Sequence, residues 1–326
     1  MPVRNEAPYL PAALCSLARQ TFTDWELIVV DDGSSDDSPA ILATAAQKDA
    51  RIRIIRQHGE GLVIALNTGL AACKSQLIAR MDGDDICHPL RLERQVAYLD
   101  NNPDVGLVAC NFRHFPRPHL KQGMLAYETW QNALADHDLI LRDRFIESPF
   151  VHPSIAARRE LINAMGGYRD LGWPEDYDLW LRLADAGTRF ARLPDLLFFW
   201  RDHPERATRV MHEYEATAFR ACKLHHLLNG YLKDTCDVII AGAGLEGRAW
   251  HRLLAAEGIK VSNWIDVDRR KIGTTLHGAP VVSTQQLPDL RSKILVAIGV
   301  RGAREQFREL VSPMGLKEGL DFICIA

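Results

Sequence analysis

Apolar positions in this chain fall in short runs divided by acidic or glycine-rich stretches, and the spacing within the runs alternates between two kinds. Residues 25–30 are apolar except for Glu26, read as a buried strand, and lead into Asp31-Asp32-Gly33-Ser34-Ser35-Asp36-Asp37-Ser38-Pro39. Ser38 suits a helix N-cap and Pro39 the first helical position, ahead of a stripe at Ile41, Leu42 and Ala45. Residues 51–56, with Ile52, Ile54 and Ile55, read as a second strand. Residues 61–74 carry Leu62, Ala65, Leu66, Gly69 and Leu70 at helical spacing and deliver the chain to a strand over 77–81. Pro89 opens a helix with Leu92, Val96 and Leu99, and 105–110 follow as a strand. Strands alternating with helices predict an α/β fold on a mostly parallel mixed sheet flanked by helices. Ligands of such sheets bind at the carboxyl ends of the strands, where both acidic loops fall.

The strand over 77–81 runs directly into Asp82-Gly83-Asp84-Asp85, three carboxylates in four residues. Unpaired acids at a strand end repel one another and raise one another's proton affinity, so a divalent cation among them relieves the strain. Oxygen ligands suit Mg²⁺ or Mn²⁺. A solvated Asp-Gly turn with no partner is the alternative.

Residues 112–144 are rich in His, Arg and Pro with weak periodicity, which fits a long excursion beside an acceptor pocket. Ser148-Pro149-Phe150-Val151-His152-Pro153-Ser154 follows, then a short helix around Leu161 and a turn at Gly166-Gly167-Tyr168. Trp173-Pro174-Glu175-Asp176-Tyr177-Asp178 opens a helix bearing Leu179, Leu181 and Leu183. Residues 205–233 are helical and mixed in charge. After them come a strand over 237–241, the loop Gly242-Ala243-Gly244-Leu245-Glu246-Gly247, a helix through Leu253 and Leu254, a strand over 261–265 ending at Asp266, and another over 293–298. The expected organisation is a first domain over 1–208, a helical connector over 209–235, and a small Rossmann-like domain over 236–326.

A length of 326 residues leaves room for two cores. The net charge of −3 provides no broad basic field, so nucleic acid is not an expected partner. No apolar run approaches the roughly 18 residues of a spanning helix, and no signal-type segment stands at the start. A soluble cytoplasmic protein is expected, with peripheral membrane association left open. The seven cysteines form no C-x-x-C pair and read as reduced thiols rather than zinc ligands.

Taken together, Pro2-Val3-Arg4-Asn5-Glu6, Gln20-Thr21-Phe22, Val30-Asp31-Asp32-Gly33-Ser34, Arg80-Met81-Asp82-Gly83-Asp84-Asp85 and Glu175-Asp176 resemble, in order and spacing, the family 2 glycosyltransferases of the GT-A fold. The likeness covers residues 1–208. It implies a metal-dependent inverting transferase that moves a sugar from a nucleotide-sugar, a UDP-sugar in particular, to a glycan or lipid-linked glycan acceptor in surface polysaccharide assembly. It implies that Asp32 holds the base, that Pro2, Val3, Asn5, Glu6 and Arg80 line the nucleoside pocket, and that Asp82 and Asp84 are the paired acids on ribose and Mn²⁺ or Mg²⁺, with Asp85 beside them. Asp176 matches the family's catalytic base, and His203 in Trp200-Arg201-Asp202-His203 resembles a histidine near the metal or diphosphate.

Each role has a plainer alternative: Asp176 as a helix-start acid at the positive end of the dipole, Asp32 as a turn residue, Arg80 as a solvated charge, and His152 and His203 as structural residues. The chain departs from the family at its start, where the apolar first strand is largely missing. Its neighbours should then present open edges, and an upstream extension is expected to raise melting temperature and activity. The Gly242-x-Gly244-x-x-Gly247 loop with Asp266 fits a phosphate cradle for NAD(P) or another nucleotide, or a purely structural turn. Two other functions stay open: an NAD-dependent sugar-nucleotide oxidoreductase or epimerase using that loop, and a non-catalytic sugar-nucleotide binding protein.

Overall fold

The computed structural model describes residues 1–300 and 302–326, and the chain divides into two compact units. Met1–Ile140 and Pro149–Glu215 make the first, Leu141–Ser148 and Ala216–Ala326 the second.

The first unit begins with three parallel strands in the order β1-β2-β3: β1 (Pro2–Val3), β2 (Leu27–Asp32) and β3 (Ile52–Gln57). Helices α1 (Leu10–Ala18), α2 (Ser38–Lys48) and α3 (Leu62–Ala72) follow these strands in turn. Every residue of β2 is buried, since both faces of the sheet are covered. Leu27 and Val29 point into a core with Leu10, Leu14 and Leu42, while Ile28 and Val30 pack against Ala65 on the other face. The cap of α2 differs from expectation. Asp37 holds the N-cap position and Ser38 is already helical, because its Oγ accepts the Glu6 N–H at 2.9 Å.

A five-stranded mixed sheet completes this unit, in the order β4-β7-β6-β8-β5. The elements from here on in chain order are β4 (Leu77–Ala79), β5 (Ile86–Cys87), α4 (Arg91–Asn101), β6 (Val105–Phe115), α5 (Gln122–Asn132), α6 (His137–Asp143), whose last three residues fall in the second unit, β7 (Ile155–Arg158), α7 (Arg159–Ala164), α8 (Glu175–Asp185), β8 (Arg189–Arg201) and α9 (Ala207–Val210). β6 and β8 run parallel; the remaining pairs are antiparallel. β6 extends five residues beyond the expected strand. The excursion that follows folds into α5 and α6, and the Asn132 carboxamide bonds both the N–H and the carbonyl of Phe112 at 3.1 and 2.8 Å.

Because β1 is two residues long, β1 and β4 are edges of two separate sheets. A cavity of about 400 Å³ borders both, lined by Met1, Leu27, Ile28, Leu77, Ile78 and Arg91 among others. The Met1 ammonium donates to the Ile28 carbonyl at 2.9 Å, and burial beside Arg80 pushes its pKa down to about 5. Arg91, 1% exposed, ties the end of β4 to β7 by donating to the carbonyls of Arg80 (2.9 Å) and Ile155 (3.0 Å). That clamp fixes the starting point of the acidic loop.

The second unit holds α10 (Ala216–Asn229), β9 (Asp237–Ala241), α11 (Leu245–Ala256), β10 (Lys260–Ile265), β11 (Thr275–Leu276), β12 (Ala279–Val282), β13 (Lys293–Val296), α12 (Ala303–Val311) and β14 (Phe322–Cys324). Its sheet runs β11-β12-β10-β9-β13-β14, parallel except for the β11–β12 pair. Trp250, Trp264, Ile240 and Leu295 are fully buried in it. Lys223 of α10 is buried and bonds the carbonyls of Ile146 and Ile325, so α10 belongs to this unit's framework. Cys87, Cys110, Cys222 and Cys324 are buried, whereas Cys15 and Cys236 are exposed. Among the described residues no helix is long and apolar enough to cross a membrane.

Candidate active site

Three loops at the carboxyl ends of β1, β2 and β4 meet. Asn5, at φ 55°, accepts the Ser35 N–H on its side-chain oxygen at 2.8 Å, while its own N–H donates to Ser34 Oγ at 3.0 Å. Its carboxamide therefore ties the β1 loop to the β2 loop. Pro2 and Val3 pair with Val30 and Asp31, which aligns those loops. Asp32 is buried, and its two oxygens accept the N–H groups of Glu60 (2.7 Å) and Gly61 (2.9 Å) at the start of α3, with Arg4 Nη1 at 3.5 Å. Gly33 makes this turn at φ 72°, and a Cβ there would lie 2.8 Å from the backbone nitrogen of Gly59. Gly33→Ala is expected to cost about 2 kcal/mol or more in urea denaturation, from left-handed strain and the backbone collision together.

The acidic loop is gripped from β8. The Arg201 N–H donates to Asp85 Oδ1 at 2.7 Å and Arg201 Nε to the Asp84 carbonyl at 2.6 Å, while its guanidinium lies over the rings of Phe115 and Tyr9. His203 Nε2 meets Asp84 Oδ2 at 2.9 Å, and Asp82 is ion-paired with Arg80. Carboxylate oxygens of Asp82, Asp84 and Asp85 lie within 4.8 Å of one another. Asp85 is fully buried, and its Oδ2 has no hydrogen-bond partner; the same holds for Glu6 Oε2, which lies against Gly83. Burial, followed by the charge of Asp84, raises the pKa of both Asp85 and Glu6 well above the carboxylate range. Orphaned, repelling oxygens around a pocket of hard donors fit a divalent cation held by Asp82 and Asp84.

Asp176 stands in the first turn of α8, half-buried, with its Oδ1 accepting the Tyr177 N–H at 2.7 Å. Burial, then the adjacent charge of Glu175, pushes its pKa up to about 8 against the pull of Arg80. Arg80 is buried, and its charge acts on Asp176, Glu6 and Asp85 alike, so one cation sits within electrostatic reach of both acidic groups. Glu175 is buried with its Oε2 accepting the Tyr214 hydroxyl at 2.8 Å and its Oε1 facing His152 Nδ1 at 3.7 Å.

Arg201, Tyr214 and Tyr9 were not singled out from the sequence. The only signal for Arg201 was its proximity to His203. In the second unit, Gly242 has φ 109° and a Cβ on Gly247 would collide with the Gly242 carbonyl, so the loop needs glycine for close packing. Gly244 precedes α11 as its N-cap. Both oxygens of Asp266 are engaged, one by the N–H of Asp268 and the other by Ala243 N–H (3.1 Å) and Lys271 Nζ (2.7 Å).

The family described as "Glycosyl transferase family 2" matches residues 1–166. The amylovoran biosynthesis glycosyltransferase AmsE of Erwinia amylovora is 33% identical over 192 residues, 58% of this chain and 68% of the relative. The O-antigen biosynthesis glycosyltransferase WbnJ of Escherichia coli is 29% identical over 238 residues, 72% and 89% of the two chains. Among solved structures, S. aureus TarS in its UDP-GlcNAc complex gives a TM-score of 0.53 at 17% identity over 70% of this chain, which spans 65% of that one, just under two thirds. The mannosyltransferase PcManGT from Pyrobaculum calidifontis gives 0.50 at 20% identity, covering 78% of each chain. These two establish the GT-A α/β fold; the sequence match over residues 1–166 establishes the kinship, and the chain belongs to glycosyl transferase family 2.

Proposed function

We propose that the chain is a metal-dependent inverting glycosyltransferase that moves a sugar from a nucleoside diphosphate sugar, a UDP-sugar in particular, to a hydroxyl of a glycan or lipid-linked glycan acceptor. The observation that carries this is Asp176, a half-buried carboxyl with a pKa near 8 that shares the field of Arg80 with the acids at 82–85. A carboxylate of raised proton affinity suits removal of an acceptor hydroxyl proton as the oxygen attacks, which is the general-base half of an inverting displacement. Asp82 and Asp84 hold Mn²⁺ or Mg²⁺, with His203 orienting Asp84. When bound, that cation supplies Lewis-acid stabilisation of the departing diphosphate. The TarS complex with UDP-GlcNAc supports a UDP-sugar, and the PcManGT complex with GDP-Man and Mn²⁺ supports the divalent cation. AmsE and WbnJ, named for amylovoran and O-antigen biosynthesis, support a role in assembly of a surface polysaccharide. In the second unit, the engaged oxygens of Asp266 favour a structural, Rossmann-like module over an NAD(P) site.

Incubation with UDP-, GDP- and dTDP-sugars, a glycan acceptor and Mn²⁺, with the product anomer assigned by NMR, tests the assignment. A product of inverted configuration is expected, and retention at the anomeric centre would overturn it. The base must be ionised to act, so kcat/KM should climb with pH until Asp176 has lost its proton at about 8 and then level off. A profile flat from pH 6 to 9 would remove Asp176 from that role.

A further inference from the structure

We propose that Tyr168, His152, Glu175 and Tyr214 form a buried polar chain that keeps Glu175 ionised beside Asp176 and so sets the basicity of Asp176. The proposal rests on the assignment of Asp176 as the base, and makes Glu175 a positioning residue that acts through it. Hydrogen bonds join Tyr168 to His152 and Tyr214 to Glu175, and a longer polar contact links His152 to Glu175. Asn67 holds Tyr168 by both its N–H and its carbonyl, each at 2.9 Å. The Tyr168 hydroxyl lies 2.8 Å from His152 Nε2; with the hydroxyl donating there, His152 Nδ1 carries the proton that faces Glu175 Oε1 at 3.7 Å. The other Glu175 oxygen accepts from Tyr214 at 2.8 Å. Glu175, His152 and Tyr168 are all buried, so these contacts act in a low-dielectric setting.

The consequence is a carboxyl pair split in proton affinity. Burial pushes Glu175 up, but His152 and Tyr214 bring it below the usual glutamate value, while Asp176 rises to about 8. Burial lowers His152 to about 4, so it serves as a neutral donor and not as a counter-charge. The remaining charged groups acting here are Arg80, whose charge acts on Tyr168, His152, Tyr214 and Asp176, Arg182 from α8 itself, and the Met1 ammonium. None of them distinguishes the two carboxyls by direct contact. The Tyr214 hydrogen bond to Glu175 does, with His152 facing the other oxygen, which is how adjacent acids come to hold different protonation states at one pH.

The test reads the carboxylic C=O band of Asp176 by infrared difference between the intact protein and Asp176→Asn, as a function of pH, in wild type and in Glu175→Gln. Loss of the neighbouring charge should move the titration midpoint down by roughly one pH unit or more, with the acid limb of kcat/KM moving alongside. A midpoint unchanged in a folded Glu175→Gln protein overturns the proposal. If circular dichroism shows that Glu175→Gln does not fold, Tyr214→Phe takes its place. Weaker support for ionised Glu175 then shifts part of the shared proton onto it, and the Asp176 midpoint falls in the same direction by less. No movement in that variant overturns the proposal equally. The infrared band requires no turnover, so a shifted midpoint without any sugar transfer would reject the transferase assignment while leaving the polar chain intact.

Discussion

Asp176→Asn is expected to lower kcat/KM for sugar transfer by about 10²- to 10⁴-fold, the usual range for general-base assistance, while donor affinity stays within a few fold. The amide keeps the shape and the bond from the Tyr177 N–H but cannot take a proton. Loss of chemistry is separable from loss of fold through the sign of the stability effect. The folded-state pKa of Asp176, about 8, exceeds the ordinary aspartate value. Between those two pH values the folded protein retains a proton that the unfolded chain has released, so the wild type loses stability as pH rises across that window. The asparagine variant has no such loss. At pH 8 and without metal it should therefore melt above the wild type, and a variant that is inactive but also melts lower would point to a structural role for Asp176.

Asp84→Ala is expected to abolish Mn²⁺-dependent release of UDP from a UDP-sugar, a loss of several kcal/mol in transition-state stabilisation or about a thousandfold in rate. The Asp84 side chain is held by His203 through Oδ2, while that of its neighbour Asp85 is bound to the Arg201 N–H. Removing it takes away one ligand and also releases His203 from its partner. Mn²⁺ binding followed by electron paramagnetic resonance should weaken in parallel with turnover. Turnover that persists unchanged with chelator present would deny the cation its role. Because Asp85 and Glu6 are pushed towards protonation by burial and by Asp84, the alanine variant should also relax both, and apo-protein stability above neutral pH should rise rather than fall.

The parts of this site legible in the sequence are those written in adjacent residues. An apolar run ending in Asp31-Asp32, another ending in Asp82-Gly83-Asp84-Asp85, and a helix opening at Glu175-Asp176 each carry their chemistry within a few positions, and all three stand where the pattern put them. The supporting contacts are invisible to local pattern because they join distant segments. Arg201 reaches Asp85 across 116 residues, and Tyr214 reaches Glu175 across 39. Arg91 shows the same limit in the fold. It drew no attention in the sequence, yet it is buried and donates to two backbone carbonyls that no sequence spacing reveals. The division into a parallel and a mixed sheet was likewise not legible in the alternation of strands and helices. Asn5 carries a further lesson: its motif suggests a ligand contact, and the structure adds that its side-chain oxygen also joins two loops.

The most direct test of the central claim is a crystal structure with Mn²⁺ and UDP, with the cation located by its anomalous scattering. The account predicts one peak at coordination distance, about 2.1 Å, from carboxylate oxygens of Asp82 or Asp84 and from the diphosphate, with the Asp176 carboxylate opening onto the same cavity from the acceptor side. A peak bound elsewhere, or an Asp176 carboxylate walled off from the nucleotide by protein, would contradict it.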